Sequence, residues 1–89
     1  MSVCLSTILK RIEADLSDVY QRAVKTTGSR NLKNLKAAQA RWIACRDADC
    51  KAEYELFEGG SGGPNAFAAC KIGLTRRRID ALVAAYGKK

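Results

Sequence analysis

The chain has no histidine at all. This removes the side chain that most often serves as general base near neutral pH and as a ligand for zinc. It has one proline and six aromatic residues (one Trp, three Tyr, two Phe). So few rings give no platform on which nucleic-acid bases would stack. Alternating apolar and polar residues never run beyond a few positions, so strands are not expected. No apolar run approaches the length of a membrane-crossing helix, and there is no internal repeat. Met1 to Lys10 places its charge after its apolar residues, the reverse of a secretory signal, so the sequence reads as the mature region of a protein.

Four cysteines and a large positive charge remain to be explained. Eighty-nine residues make a single domain, spanning 1–89, with a limited core. In so short a chain, Cys4, Cys45, Cys50 and Cys70 read as two disulfides formed in an oxidising compartment. Lipidation at Cys4 would leave an odd number of cysteines and is disfavoured. The net charge of +7 is unevenly spread. Between Asp47 and Glu58, five carboxylates face only Lys51, a net −4 that leaves +11 on the rest. The molecule is therefore expected to be electrostatically bipolar.

Three helices are predicted. Leu5, Ile8, Leu9, Ile12, Leu16, Val19, Tyr20, Ala23 and Val24 give one apolar face over about 3–26. Gly28 would end this helix in a left-handed cap. Ser29 or Asn31 would cap a second helix over about 32–57. The glycine-rich loop 59–64 follows, then a third helix over about 65–86 with Phe67, Cys70, Leu74, Leu82, Val83 and Tyr86 on its apolar stripe. The expected fold is all-α, a three-helix antiparallel bundle stapled by two disulfides. Cys50 and Cys70 lie ten residues either side of Gly60 and should be level across the second hairpin. Cys45 and Cys50 diverge on one helix and cannot pair. Cys50–Cys70 with Cys4–Cys45 is the favoured connectivity, and Cys4–Cys50 with Cys45–Cys70 stays open.

Catalytic and metal chemistry find little support. Glu53 and Glu55 project to different sides of a helix and are not an acid–base pair. Cys45-x4-Cys50 has the wrong spacing for a zinc knuckle, and Asp47-Ala-Asp49 lacks the glycine and later ligands of a calcium loop. Neither catalytic residues nor a cofactor nor a metal is expected. Arg76-Arg77-Arg78 is spread around a helix, so it makes no flat patch for nucleic acid, which is not an expected partner. One constellation is sharper. Gln39, Trp42, Arg46 and Cys50 share a helical stripe, as do Glu13, Leu16 and Tyr20, and Cys70, Leu74, Arg78 and Leu82. Polar groups on inward stripes need partners. A central network is expected in which Arg46 or Arg78 meets Glu13, Asp47 or Asp80, holding the helices together.

These residues also carry a family resemblance. The run Ala38-Gln39-Ala40-Arg41-Trp42-Ile43-Ala44-Cys45-Arg46-Asp47-Ala48-Asp49-Cys50 resembles the AQ-x-x-W-x-x-x-RD-x-x-C signature of the LprI-type lysozyme-inhibitor-like domain. Gly59-Gly60-Ser61, Cys70, Thr75, Arg78 and Leu82 are similar to its second half. Glu13, Leu16, Ser17 and Tyr20 resemble its D-x-x-L-N-x-x-Y motif, with Glu13 and Ser17 in place of Asp and Asn. Cys45 stands where the family commonly has tyrosine, and with Cys4 it implies a second disulfide particular to this branch.

The resemblance implies a bacterial protein exported to the periplasm or secreted, helical, and inhibiting lysozyme or a related cell-wall hydrolase. A cationic hydrolase would be repelled by a +7 chain as a whole. Docking is therefore expected at the acidic end, through Asp49, Glu53, Glu55, Glu58, Gly60, Ser61 and Gly62. The alternative is a basic envelope protein that binds anionic polymer or lipid without inhibitory activity.

Overall fold

The computed structural model describes the backbone of residues 3–56 and 62–86, and side chains from residues 5 and 63 onward within those spans. The described residues form three helices, α1 (Val3–Thr26), α2 (Ser29–Glu55) and α3 (Gly62–Tyr86), and contain no strand. The molecule measures 46 × 22 × 15 Å.

The apolar stripes fold together as helical periodicity dictates. Leu16 and Ala23 of α1, Leu35 of α2 and Leu82 of α3 form a buried cluster, with Val19, Tyr20, Val24, Trp42, Ile79 and Tyr86 packed around it. Burying a leucine side chain contributes about 1.5–3 kcal/mol, so this cluster is the main apolar term. Along α2 and α3, numbering runs in opposite senses: Cys50 joins Cys70, Arg46 meets Thr75, and Gln39 meets Arg78. The α3 helix packs closely along both others, whereas α1 and α2 approach each other closely at few points. A short connection favours direct α1–α2 packing, but their facing sides carry Glu13, Ser17, Lys36, Gln39 and Arg46. Together with Leu16, Tyr20, Ala40 and Ile43 these groups line an open groove of about 460 Å³ between the two helices.

The helix ends differ from expectation. Gly28 is extended (φ −76°, ψ 164°), not left-handed, and it is the N-cap of α2. Its carbonyl accepts the N–H groups of Asn31 and Leu32 at 3.0 and 3.2 Å. Ser29 is therefore helical, and neither it nor Asn31 caps the helix. The first three residues expected in the glycine loop's second half, Gly62, Gly63 and Pro64, belong to α3 instead. A proline fits there because N–H groups in a first turn have no acceptor within the helix. The α2 helix ends at Glu55; residue 57, the expected end of that helix, and residues 59–61, the remainder of the expected loop, lie outside the described residues.

Cys50 and Cys70 form a disulfide with Cα atoms 5.5 Å apart. The expected second disulfide is corrected: Cys45 is exposed and free. The α2 residues lining the groove beside α1 are Lys36, Gln39, Ala40, Ile43 and Arg46. Cys45 lies two positions beyond Ile43, about 200° around the helix, and so faces away from α1. The side chain of Cys4 lies outside the described residues.

Two predictions follow from these positions. A maleimide added without reductant should label Cys45, while Cys50 and Cys70 become reactive only after reduction; peptide mapping that finds Cys45 protected would restore the second disulfide. Gly73 lies inside α3, and a Cβ there would meet nothing within 4 Å. Gly73→Ala should therefore raise the unfolding free energy by about 1 kcal/mol in denaturant titration.

Candidate functional site

The middle of the molecule holds a polar junction of the three helices. Arg46, on the inward stripe of α2, is only 8 % exposed. Its Nε donates to Asp47 Oδ1 at 2.9 Å, and its Nη1 donates to Glu13 Oε2 at 3.4 Å and to Thr75 Oγ1 at 3.3 Å. Its Nη2 also lies 2.9 Å from Asp47 Oδ1. One side chain thus reaches acceptors on all three helices. The cation is buried, while Glu13 and Asp47 stay 41 and 48 % exposed, so the carboxylates keep much of their hydration. Lys71 Nζ approaches Asp47 from the α3 side at 3.7 Å.

A second layer lies beside the first. Arg78 donates from Nε to Gln39 Oε1 at 2.9 Å. The Trp42 ring has the Arg46 guanidinium 5.2 Å and the Arg78 guanidinium 5.9 Å from its centroid. Both distances fall within cation–π range. No buried side-chain nitrogen or oxygen among the described residues lacks a hydrogen-bond partner. Glu13, Gln39, Trp42, Arg46, Asp47 and Arg78 therefore come together in this structure, whereas Asp80 is exposed in a separate cleft between α1 and α3. Thr75 and Lys71 were missing from the expected network. Thr75 could have been found, because its place in the second-half motif puts it one turn from Arg78.

The acidic end is less unified than its sequence. Asp49 and Glu53, one turn apart, line an open cleft of about 360 Å³ with Cys70, Gly73, Leu74 and Arg77. Glu55 is exposed, about 200° around α2 from Glu53. Glu58, Gly60 and Ser61 lie outside the described residues, and Gly62 opens α3. Two apolar residues that sequence reading did not select accompany the acids. Leu56 is 78 % exposed, and Tyr54, partly exposed, meets Phe67 edge-on at 6.0 Å.

Among the described residues there is no cluster of three or more residues suited to a metal ion, and no helix is long and apolar enough to cross a membrane. The geometry is that of a scaffold: small, helical, cross-linked once among the described residues, with its strongest polar interactions joining helices. The family model described as "Lysozyme inhibitor LprI" matches residues 1–82, and the chain belongs to that family. No curated protein matches the chain, and no solved structure does.

Arg46→Ala should lower the unfolding free energy by about 3 kcal/mol, because it removes a large buried side chain that packs on Trp42 and leaves the buried Thr75 hydroxyl without its donor. The melting temperature should then fall by roughly 12 °C or more. Thr75→Val should cost only about 1 kcal/mol, through one neutral acceptor. Equal effects of the two substitutions in thermal melts would contradict the central place given to Arg46.

Proposed function

We propose that this protein is an exported, non-enzymatic binding protein, a single-domain antiparallel three-helix bundle that inhibits lysozyme or a related cell-wall hydrolase. The observation that carries the reading is the family match over residues 1–82, which spans all three helices. The opposed numbering of α2 and α3 supports the antiparallel arrangement. The inhibitory surface in this reading is the end of the molecule around Asp49 and Glu53. Their two carboxylates outnumber the one cation of the cleft, Arg77, and offer a cationic hydrolase a local attraction, while the exposed Leu56 and Tyr54 follow Glu53 within one turn. Charge at such a rim speeds and orients an encounter, and buried apolar contact holds it. The polar network of Glu13, Gln39, Trp42, Arg46, Asp47 and Arg78 serves to hold the helices that present this end.

The test is lysis of cell-wall substrate by lysozyme with the oxidised protein titrated in. Dose-dependent inhibition at physiological salt is expected. Asp49→Lys with Glu53→Lys should weaken it by roughly tenfold or more, while Glu55→Lys, on the other side of α2, should leave it unchanged. No inhibition at any concentration would reject the reading and favour a basic envelope protein without inhibitory activity.

A further inference from the structure

From Val19 to Arg46 the chain contains no Asp or Glu but seven basic residues. This segment is the second part of α1, the turn at Thr27 and Gly28, and the first two-thirds of α2. Arg46 is buried and paired. The other six, Arg22, Lys25, Arg30, Lys33, Lys36 and Arg41, are all exposed. None has a carboxylate within ion-pair distance among the described residues.

Arg30, Lys33, Ala37 and Arg41 step by three, four and four along α2, opposite its buried stripe of Leu35, Gln39 and Arg46. The residues between these bases are small or neutral: Asn31, Asn34, Ala37, Ala38 and Ala40, all exposed. Nothing bulky screens the cations from a broad surface. The arrangement is also locally unfavourable. The first turn of α2 has no acidic residue and no side-chain cap, and Arg30 and Lys33 sit at its positive end. Intramolecular stability does not account for six unpaired cations gathered there.

We propose that the α1–α2 hairpin tip and the outer face of the first half of α2 form a docking surface for an anionic phospholipid bilayer. Clustered Lys and Arg side chains near a negatively charged leaflet gain from its surface potential without inserting. The turn itself, Thr26-Thr27-Gly28-Ser29, offers no apolar residue for insertion, which fits a peripheral contact. Single-stranded nucleic acid fits less well, because the six bases have no exposed aromatic ring among them on which a base would stack. The choice of lipid over nucleic acid also rests on the exported character proposed above, whereas the binding experiment does not depend on it.

The oxidised full-length chain is sedimented with vesicles of phosphatidylcholine alone and of phosphatidylcholine mixed with phosphatidylglycerol. Binding is expected only to the mixed vesicles, falling as salt rises. Each basic group near such a surface contributes about fivefold in partition. Arg30→Gln, Lys33→Gln and Arg41→Gln together should therefore lower binding roughly hundredfold. All three positions are exposed, so circular dichroism and the melting temperature should be unchanged. The same variant should inhibit lysozyme as the parent does, which separates this surface from the acidic end. Equal binding to both vesicle types, or mixed-vesicle binding that survives the triple substitution, would overturn the proposal. So would an anionic oligonucleotide that binds at physiological salt where the mixed vesicles do not.

Discussion

The arrangement of this molecule depends on one buried cation. Arg46 sits where three helices meet, and its guanidinium finds acceptors on α1, on α3 and on its own helix. Apolar contacts are tolerant of sliding, because one leucine on a stripe resembles the next. A fork of N–H donors is not tolerant: moving α2 by a turn would part the guanidinium from Glu13 and Thr75 and leave it only Asp47, which moves with it. The network therefore specifies register more strongly than it adds net stability, which is the role best supported for buried ionic groups in general. Keeping the carboxylates half-exposed limits the desolvation cost to the cation.

Around this junction the molecule is layered along its length. The apolar cluster of Leu16, Ala23, Leu35 and Leu82 occupies one end, the arginine layer the middle, and the Cys50–Cys70 disulfide the other end. A chain of this size buries too little apolar surface to hold every layer by packing alone. The disulfide lies beyond the apolar cluster, where the α2–α3 hairpin approaches its loop. It ties α2 to α3 at the end that the apolar cluster does not reach.

Periodicity made much of this legible. The steps of three and four through Gln39, Trp42, Arg46 and Cys50 place those side chains on one face, and the structure has them on the inward face of α2. Equal distances from the glycine loop likewise brought Cys50 level with Cys70. The same counting did not hold at Cys45, which lies seventeen residues after Gly28 while Cys4 lies twenty-four before it. Its side chain also points about 200° from the groove that α1 shares, and position along a helix does not give the way a side chain faces. The acids show the same limit. Asp49, Glu53 and Glu55 are one cluster in sequence, yet only the first two share a cleft. Helix ends were less legible still, because Gly28 and Gly62-Gly63-Pro64 suit both loops and first turns. Which helix would lie against which was not readable, since loop length constrains neighbours in the chain but not the polarity of the faces they would bury.

For the proposed docking of a cationic enzyme on a +7 chain, the length of the molecule matters. Lys33 and Glu53 are twenty residues apart on one straight helix, about 30 Å, in a molecule 46 Å long. The screening length at physiological ionic strength is about 8 Å. A partner at the Asp49 and Glu53 cleft therefore experiences those two carboxylates and the Arg77 that lines the cleft with them, and little of the cations at the hairpin tip. Net charge governs only the long-range approach at low salt; at physiological salt each end acts through its own local charge. Two surfaces of opposite sign can then work on one small scaffold without cancelling, provided the bundle stays rigid enough to keep them apart. That rigidity returns the problem to Arg46 and the disulfide, which fix α2 against its neighbours between the two ends.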